Sequence, residues 1–246
     1  MGQFRQIVKR SIESALPEQA MLSRGRRLRT NDGVNRPSRC AVSLTFDDGP
    51  HPEFTPQLLD NLATVDIKAT FFIVGEKAEQ HPDIVKRIAN DGHEIGNHTW
   101  THSEPRQTST GTFRDEVVRT NKLIFELTGQ NCRLTRPPKG ELSPGKILVL
   151  LKQRQTIVLW NQDARDYRME SWSDMEIWCQ NFTPEHGDIV LMHDNHRFAV
   201  TAAALAGSLP NMSDVKFCKV SDWLRNSRQS NSNNLSTNGR QSSCSG

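Results

Sequence analysis

Along the middle of the chain, short apolar runs alternate with stretches in which apolar residues recur every third or fourth position. The first kind reads as strand and the second as amphipathic helix. Strands are predicted at 41–44, 69–74, 94–97, 133–136, 156–160, 188–192 and 216–220, and helices at 54–65, 76–90, 112–127, 143–152, 173–182 and 198–208. Gly92 and Gly129 stop two of these helices. Strand–helix alternation predicts a parallel sheet. Strands that are apolar almost throughout fit a sheet buried on both faces. At 246 residues, a closed or nearly closed barrel is favoured over an open doubly wound sheet. The glycine-rich phosphate turn that such an open sheet carries after its first strand is also missing. The fold class is therefore α/β, a TIM-like barrel of parallel strands with outer helices.

The two ends differ from this body. Residues 3–16 set Phe4, Ile7, Val8, Ile12, Ala15 and Leu16 on one face of a helix that Pro17 ends, with Arg5, Lys9 and Arg10 beside that face. This helix either packs on the body or lies on a membrane surface or a partner. Residues 22–39 are arginine-rich and read as a strap or loop. Residues 226–246 hold Leu235 as their one large apolar side chain, and a Ser/Asn-rich composition of that kind predicts a disordered tail. The expected organisation is a basic helix and strap over 1–40, a folded α/β body over 41–225 and a tail over 226–246.

Charge follows the same division. Residues 1–40 carry nine basic and three acidic side chains, whereas 41–225 carry 20 basic and 25 acidic. A folded nucleic-acid binder presents a basic face, so no nucleic-acid partner is expected. The start has no long apolar core of a secretory signal, and Gln6 stands where myristoylation wants Ser or Thr. No apolar run approaches the length of a membrane span. The expected location is the cytoplasm, extending to the inner membrane face through the N-terminal helix, and the expected state is a monomer. Five scattered cysteines with no Cys-x-x-Cys read as reduced thiols.

The chemistry collects where strands end. Thr45-Phe46-Asp47-Asp48-Gly49-Pro50 places two adjacent carboxylates at the end of the first strand. Successive strand residues face opposite ways, so the two acids can do different work. Two carboxylates this close repel unless a cation sits beside them. His98 and His102, four residues apart after the third strand, share a face if that segment turns helically. Two imidazoles and a carboxylate make a three-ligand zinc set that leaves a fourth position for water. Arg136, in Arg136-Pro137-Pro138-Lys139-Gly140, can clamp a carboxylate. Trp160 to Tyr167 ends the fifth strand, and His193 ends the sixth, where a carboxylate from another strand end could orient it as an acid.

These five blocks, in this order over about residues 41–224, resemble the polysaccharide deacetylase family, carbohydrate esterase family four. The resemblance implies a distorted (β/α)7 barrel and metal-dependent removal of acetyl groups from an N-acetylated sugar. By position it implies Asp47 as general base, Asp48, His98 and His102 as metal ligands, and His193 as general acid. Arg136 would orient Asp47, and Asp166 would orient His193. Leu191 would line the pocket for the acetyl methyl, and the backbone N–H of Lys139 would meet the oxyanion. Trp160 and Tyr167 are expected to meet the sugar. Lys139 and Tyr167 depart from the family, which usually has an aromatic and a tryptophan there, so substrate preference is open. The cofactor is expected to be one divalent ion, zinc by ligand type, with cobalt or manganese as alternatives. Rival readings are hydrolysis of another non-peptide amide or of a glycan O-acetyl ester, and glycan binding without turnover. Binding alone needs neither a base nor an acid.

Overall fold

The computed structural model describes residues 20–24, 40–198 and 215–224. The expected helix at 3–16, nearly all of that at 198–208, most of the 22–39 strap and the tail at 226–246 lie outside the described residues.

Strand β2 (Cys40–Asp47) shows how the sequence sets two faces. Val42, Leu44 and Phe46 point outward into a core completed by Leu58, Leu59 and Leu62 of helix α1 (Phe54–Thr64). Ser43, Thr45 and Asp47 take the alternate face and are buried too. That inward column is polar, and each member is satisfied. Trp223 Nε1–H donates to Ser43 Oγ at 2.8 Å, Thr45 Oγ1 donates to the Val190 carbonyl at 2.6 Å, and Asp47 accepts from Arg136 at 2.7 Å. The expectation of near-continuous apolar strands is thus corrected for β2. A barrel interior can hold polar side chains where they bond one another. Strand β3 (Thr70–Ile73) instead carries Phe71 outward and Phe72 inward.

The remaining elements follow as helices α2 (Gly75–Gln80) and α3 (Pro82–Asn90), strand β4 (Glu94–Asn97), helix α4 (Thr110–Thr128), strand β5 (Leu134–Thr135), helix α5 (Pro144–Lys152), strands β6 (Thr156–Val158) and β7 (Gln162–Asp163), helix α6 (Trp172–Asn181) and strands β8 (Asp188–His193) and β9 (Val215–Phe217). Strand β1 is Met21–Leu22. The sheet order is β1-β6-β5-β4-β3-β2-β8-β7, with β9 added to β2, and every pairing is parallel.

Only residues 159–161 separate β6 from β7, which lie toward opposite ends of this sheet. Four steps of chain reach at most ~14 Å, so the sheet must curl until its ends approach. Leu159 N–H bonds the Leu22 carbonyl of β1 at 2.7 Å, and Asn161 N–H bonds the Ile189 carbonyl of β8 at 3.3 Å. A crossing segment therefore closes the barrel where strand pairing does not.

The α/β barrel class agrees with the sequence, and three local expectations change. Strands β1 and β7 were not anticipated, because two residues carry no readable period. The helix expected over 76–90 is two helices, since Pro82 has no N–H to continue the first and begins the second. Strand β6 leads directly to β7, so a helix does not follow every strand.

Candidate active site

The site forms at the C-terminal ends of β2, β4 and β8. Asp47 ends β2 and pairs in register with His193 of β8 on one side and Phe72 of β3 on the other. Arg136, wholly buried, leaves β5 and crosses the barrel mouth. Its Nη1 donates to Asp47 Oδ1 and Thr45 Oγ1, both at 2.7 Å, and its Nε and Nη2 donate to the carbonyls of Val158 and Leu159 at 3.4 and 3.2 Å. Its guanidinium also lies 4.2 Å from the centre of the Phe72 ring. One arginine thus fixes a carboxylate and ties the crossing segment to β2.

Asp48 follows with φ 72°, a left-handed conformation unusual outside glycine, which turns its side chain away from Asp47 toward the two histidines. Lys77 Nζ donates to the Asp48 carbonyl at 2.7 Å and holds that turned peptide. Asp48 Oδ1 lies 3.4 Å from His98 Nε2 and 3.3 Å from His102 Nε2. The segment 98–102 does not turn helically. Left-handed residues Thr99 (φ 65°) and His102 (φ 54°) fold the segment back and bring the rings to 4.8 Å between centres. Asn97 and Glu116 brace this turn. Asn97 Oδ1 accepts from Thr99 N–H, and Glu116 Oε2 accepts from the N–H groups of Trp100 and Thr101.

His193 is held from the other side. Asp166, buried in the 3-10 turn Asp166–Arg168, accepts from His193 N–H through Oδ2 at 2.7 Å and from His193 Nδ1 through Oδ1 at 2.8 Å. This bond puts the Nδ1 proton on the carboxylate side and turns Nε2 toward the site.

The electrostatics follow from this packing. Burial opposes charge on His193, but the Asp166 bond and charge outweigh it and lift its pKa to about 9. Burial likewise opposes charge on Asp48, yet His98 and then His102 hold it well below the usual carboxylate range. His98 is pushed down by burial and more strongly up by Asp47 and Asp48, for a net rise. Burial and the neighbouring His98 lower the pKa of His102, favouring its neutral, ligating form.

These residues fit a divalent cation. One ligand atom each from Asp48, His98 and His102 lies within 4.8 Å of the others. Asp48 Oδ1 is buried with no hydrogen-bond partner. His98 Nδ1 bonds the Arg136 carbonyl at 2.7 Å, which leaves Nε2 as the free lone pair. Arg136 already pairs with Asp47, so the Asp48 carboxylate facing the two imidazoles is the charge that a cation would balance.

The remaining predicted residues surround this cluster. Leu191 is buried on β8 beside Thr45. Tyr167 is half exposed, with its ring edge-on to His193 at 5.4 Å. Trp160 packs under Gly140, whose added Cβ would lie 3.0 Å from its ring. Lys139 has φ 56° and an exposed side chain paired with Glu104, and among the described residues its backbone N–H has no hydrogen-bond partner. Three other histidines bond the backbone. His51, His93 and His186 accept backbone N–H groups through Nδ1. Sequence reasoning missed Lys77, Asn97 and Glu116. Asn97 directly precedes His98 and offered a signal, whereas Lys77 and Glu116 reach the site from helices where nothing local marks them.

A curled parallel barrel with a carboxylate and two imidazoles at its mouth, flanked by a clamped Asp and a clamped His, defines a class of metal-centred barrel proteins. The family model described as Polysaccharide deacetylase matches residues 35–156. A peptidoglycan-N-acetylglucosamine deacetylase of Bacillus cereus is 35% identical over 190 residues, covering 75% of this chain and 88% of the relative. A second Bacillus cereus protein of the same description is 42% identical over 131 residues, 53% of this chain, and the match spans about half of that relative, 48%. The solved structure of peptidoglycan deacetylase PdaC from Bacillus subtilis superposes with a TM-score of 0.72 at 26% identity, covering 83% of this chain and 99% of that one. The chain belongs to the polysaccharide deacetylase family.

Proposed function

We propose that the protein hydrolyses N-acetyl groups from an N-acetylated oligo- or polysaccharide, with Asp48, His98 and His102 holding one divalent ion, zinc by the chemistry of the donors. The observation that carries this reading is the placement of Asp47 and His193 as register partners beside that ligand cluster, each locked by an oppositely charged residue. When bound, the ion supplies Lewis acidity, which lowers the pKa of water and polarises the acetyl carbonyl.

The chain's own groups account for the proton transfers. Arg136 engages Asp47 Oδ1, so Oδ2 is the oxygen left to take a proton from the attacking water. The C–N bond breaks only if the departing amine is protonated, and His193, charged at neutral pH because its pKa stands near 9, supplies that proton. The Lys139 N–H is free to donate to the developing oxyanion, a contribution of roughly 3–4 kcal/mol where a single such donor has been removed elsewhere. That requires only the backbone, so the lysine side chain does not obstruct the reaction. A strongly basic acid catalyst suits an amine leaving group better than the alcohol of an O-acetyl ester.

The relatives' names supply peptidoglycan N-acetylglucosamine as the first substrate to try. Acetate release should be measured from peptidoglycan fragments and N-acetylglucosamine oligomers, with zinc and after chelation. Release that depends on zinc and falls about 10²–10⁴-fold in Asp47→Asn supports the reading. Absence of release from every glycan, or an unchanged rate in that variant, removes it. Cytoplasmic or inner-face residence stands in the same proposal, and fractionation of cells expressing the chain with and without residues 1–20 tests it.

A further inference from the structure

The turn that carries Asp48 is pinned by a residue outside the ligand cluster. Asp194 directly follows His193 and is only 1% exposed. Its N–H donates to the Asp47 carbonyl at 3.1 Å. Its carboxyl group lies against Gly49, where an added Cβ would come within 1.9 Å of Asp194 Oδ2 and 2.2 Å of Oδ1. The Gly49 backbone is not left-handed, so it is this carboxyl group, and not conformation, that excludes a side chain there. Asp194 Oδ2 also accepts from Thr55 Oγ1 at 2.8 Å, and Thr55 Oγ1 accepts in turn from the His51 N–H at 2.7 Å. Residues 47, 49 and 51 are thus each tied to Asp194, directly or through Thr55.

Such a hold matters because Asp48 sits between them at φ 72°. A left-handed residue with a side chain persists only where its surroundings over-determine it. Lys77 grips the Asp48 carbonyl, Val74 N–H grips the Gly49 carbonyl at 2.8 Å, and Asp194 fills the space beside the Gly49 Cα. Asn195, the next residue, donates through Nδ2 to Asp48 Oδ2 at 3.4 Å, so Oδ1 is the oxygen left facing His98 and His102. Folding itself gains little from the Asp194 carboxyl group. Among the described residues its Oδ1 has no hydrogen-bond partner, and burying a carboxyl group with one donor costs desolvation that one bond does not return.

Building on the metal-centre reading, we propose that Asp194 is a positioning residue for zinc, holding the Asp48 turn through Gly49 and Thr55 in the shape that presents Asp48 Oδ1 to the ion. Metal-depleted full chains should be titrated with zinc. Asp194→Ala should bind it about tenfold more weakly or worse, the size of effect seen when a residue that orients a metal ligand is lost. Asp194→Asn keeps the shape and an oxygen for Thr55, so its affinity should stay within about threefold of the parent. Gly49→Ala, whose new Cβ meets the carboxyl group, should also lose zinc, and adding Asp194→Ala to it should restore affinity, whereas independent losses would add. A residue serving stability alone would shift urea midpoints and leave this pattern of affinities unmoved. If the parent binds zinc and Asp194→Ala binds it as tightly, or Asp194→Asn loses as much as Asp194→Ala, the positioning role is overturned and the metal centre stands. Should Asp194→Ala not fold, Thr55→Val removes the donor and decides in its place: weaker zinc binding supports the role, and unchanged binding overturns it. If the parent takes up no zinc, the metal reading falls, and crystal structures of the metal-free parent and Thr55→Val decide the rest. Asp48 leaving the left-handed region in the variant supports the hold, and an unmoved turn overturns it.

Discussion

Asp47 and His193, the proposed base and acid, are held in different ways. On one side, Asp47 is gripped by an arginine sealed from solvent that also bonds Thr45 and the carbonyls of Val158 and Leu159. On the other, His193 keeps 16% of its side chain exposed and leans on a single carboxylate in a short turn. The proposed base is therefore part of the fold, because the same guanidinium that orients it joins the crossing segment to β2. The proposed acid is an accessory to the fold, tuned chiefly by Asp166. Burial drags the Arg136 guanidinium below its ordinary pKa, and Asp47 offsets part of that, so removing either member strands a charge in the interior.

Substitutions should separate the two sides. Arg136→Met is expected to produce the largest effect, lowering stability by ~3–5 kcal/mol in urea unfolding as well as abolishing acetate release, since it leaves Asp47 buried and unpaired. A variant that is fully stable but inactive would reduce Arg136 to a catalytic positioning role and break the comparison. Asp166→Asn should leave the fold largely intact and act through pH. His193 loses the partner that lifts its pKa to about 9, so the alkaline limb of the kcat profile should move down toward the ordinary histidine value of about 6.5. The stability sign follows from the raised folded pKa. The contribution from charged His193 is fully present below its unfolded pKa and is lost as pH rises through about 9. The stability gap between parent and Asp166→Asn should accordingly narrow from pH 6 to pH 10, and a gap that widened would contradict the assignment. The smallest effect is expected at Lys139→Ala. Its exposed pair with Glu104 is worth ~0–1 kcal/mol, and the backbone N–H is kept, so kcat should change less than KM.

Much of this was legible in the chain, for reasons that differ by residue. Asp47, Asp48, Arg136 and His193 stand at strand ends flanked by Gly, Pro or apolar runs, where local pattern and chemistry coincide. The barrel class followed from the alternation of periods. What stayed hidden depends on contacts distant in sequence or on backbone geometry. The polar interior of β2 is stable only because Trp223 and Arg136 arrive from 180 and 91 residues away. The convergence of His98 and His102 comes from two left-handed residues, neither of them glycine, so the spacing suggested a helix that does not form. Lys77 reaches Asp48 from a helix split by Pro82, and no motif announces it.

The central claim is that one ion sits where Asp48, His98 and His102 converge, and zinc titration of metal-depleted protein measures this most directly. The parent and Asp47→Asn should each bind one equivalent, while His98→Ala, His102→Ala and Asp48→Ala should each bind at least tenfold more weakly. A parent that takes up no zinc, or ligand variants that bind it as tightly as the parent, would contradict the account.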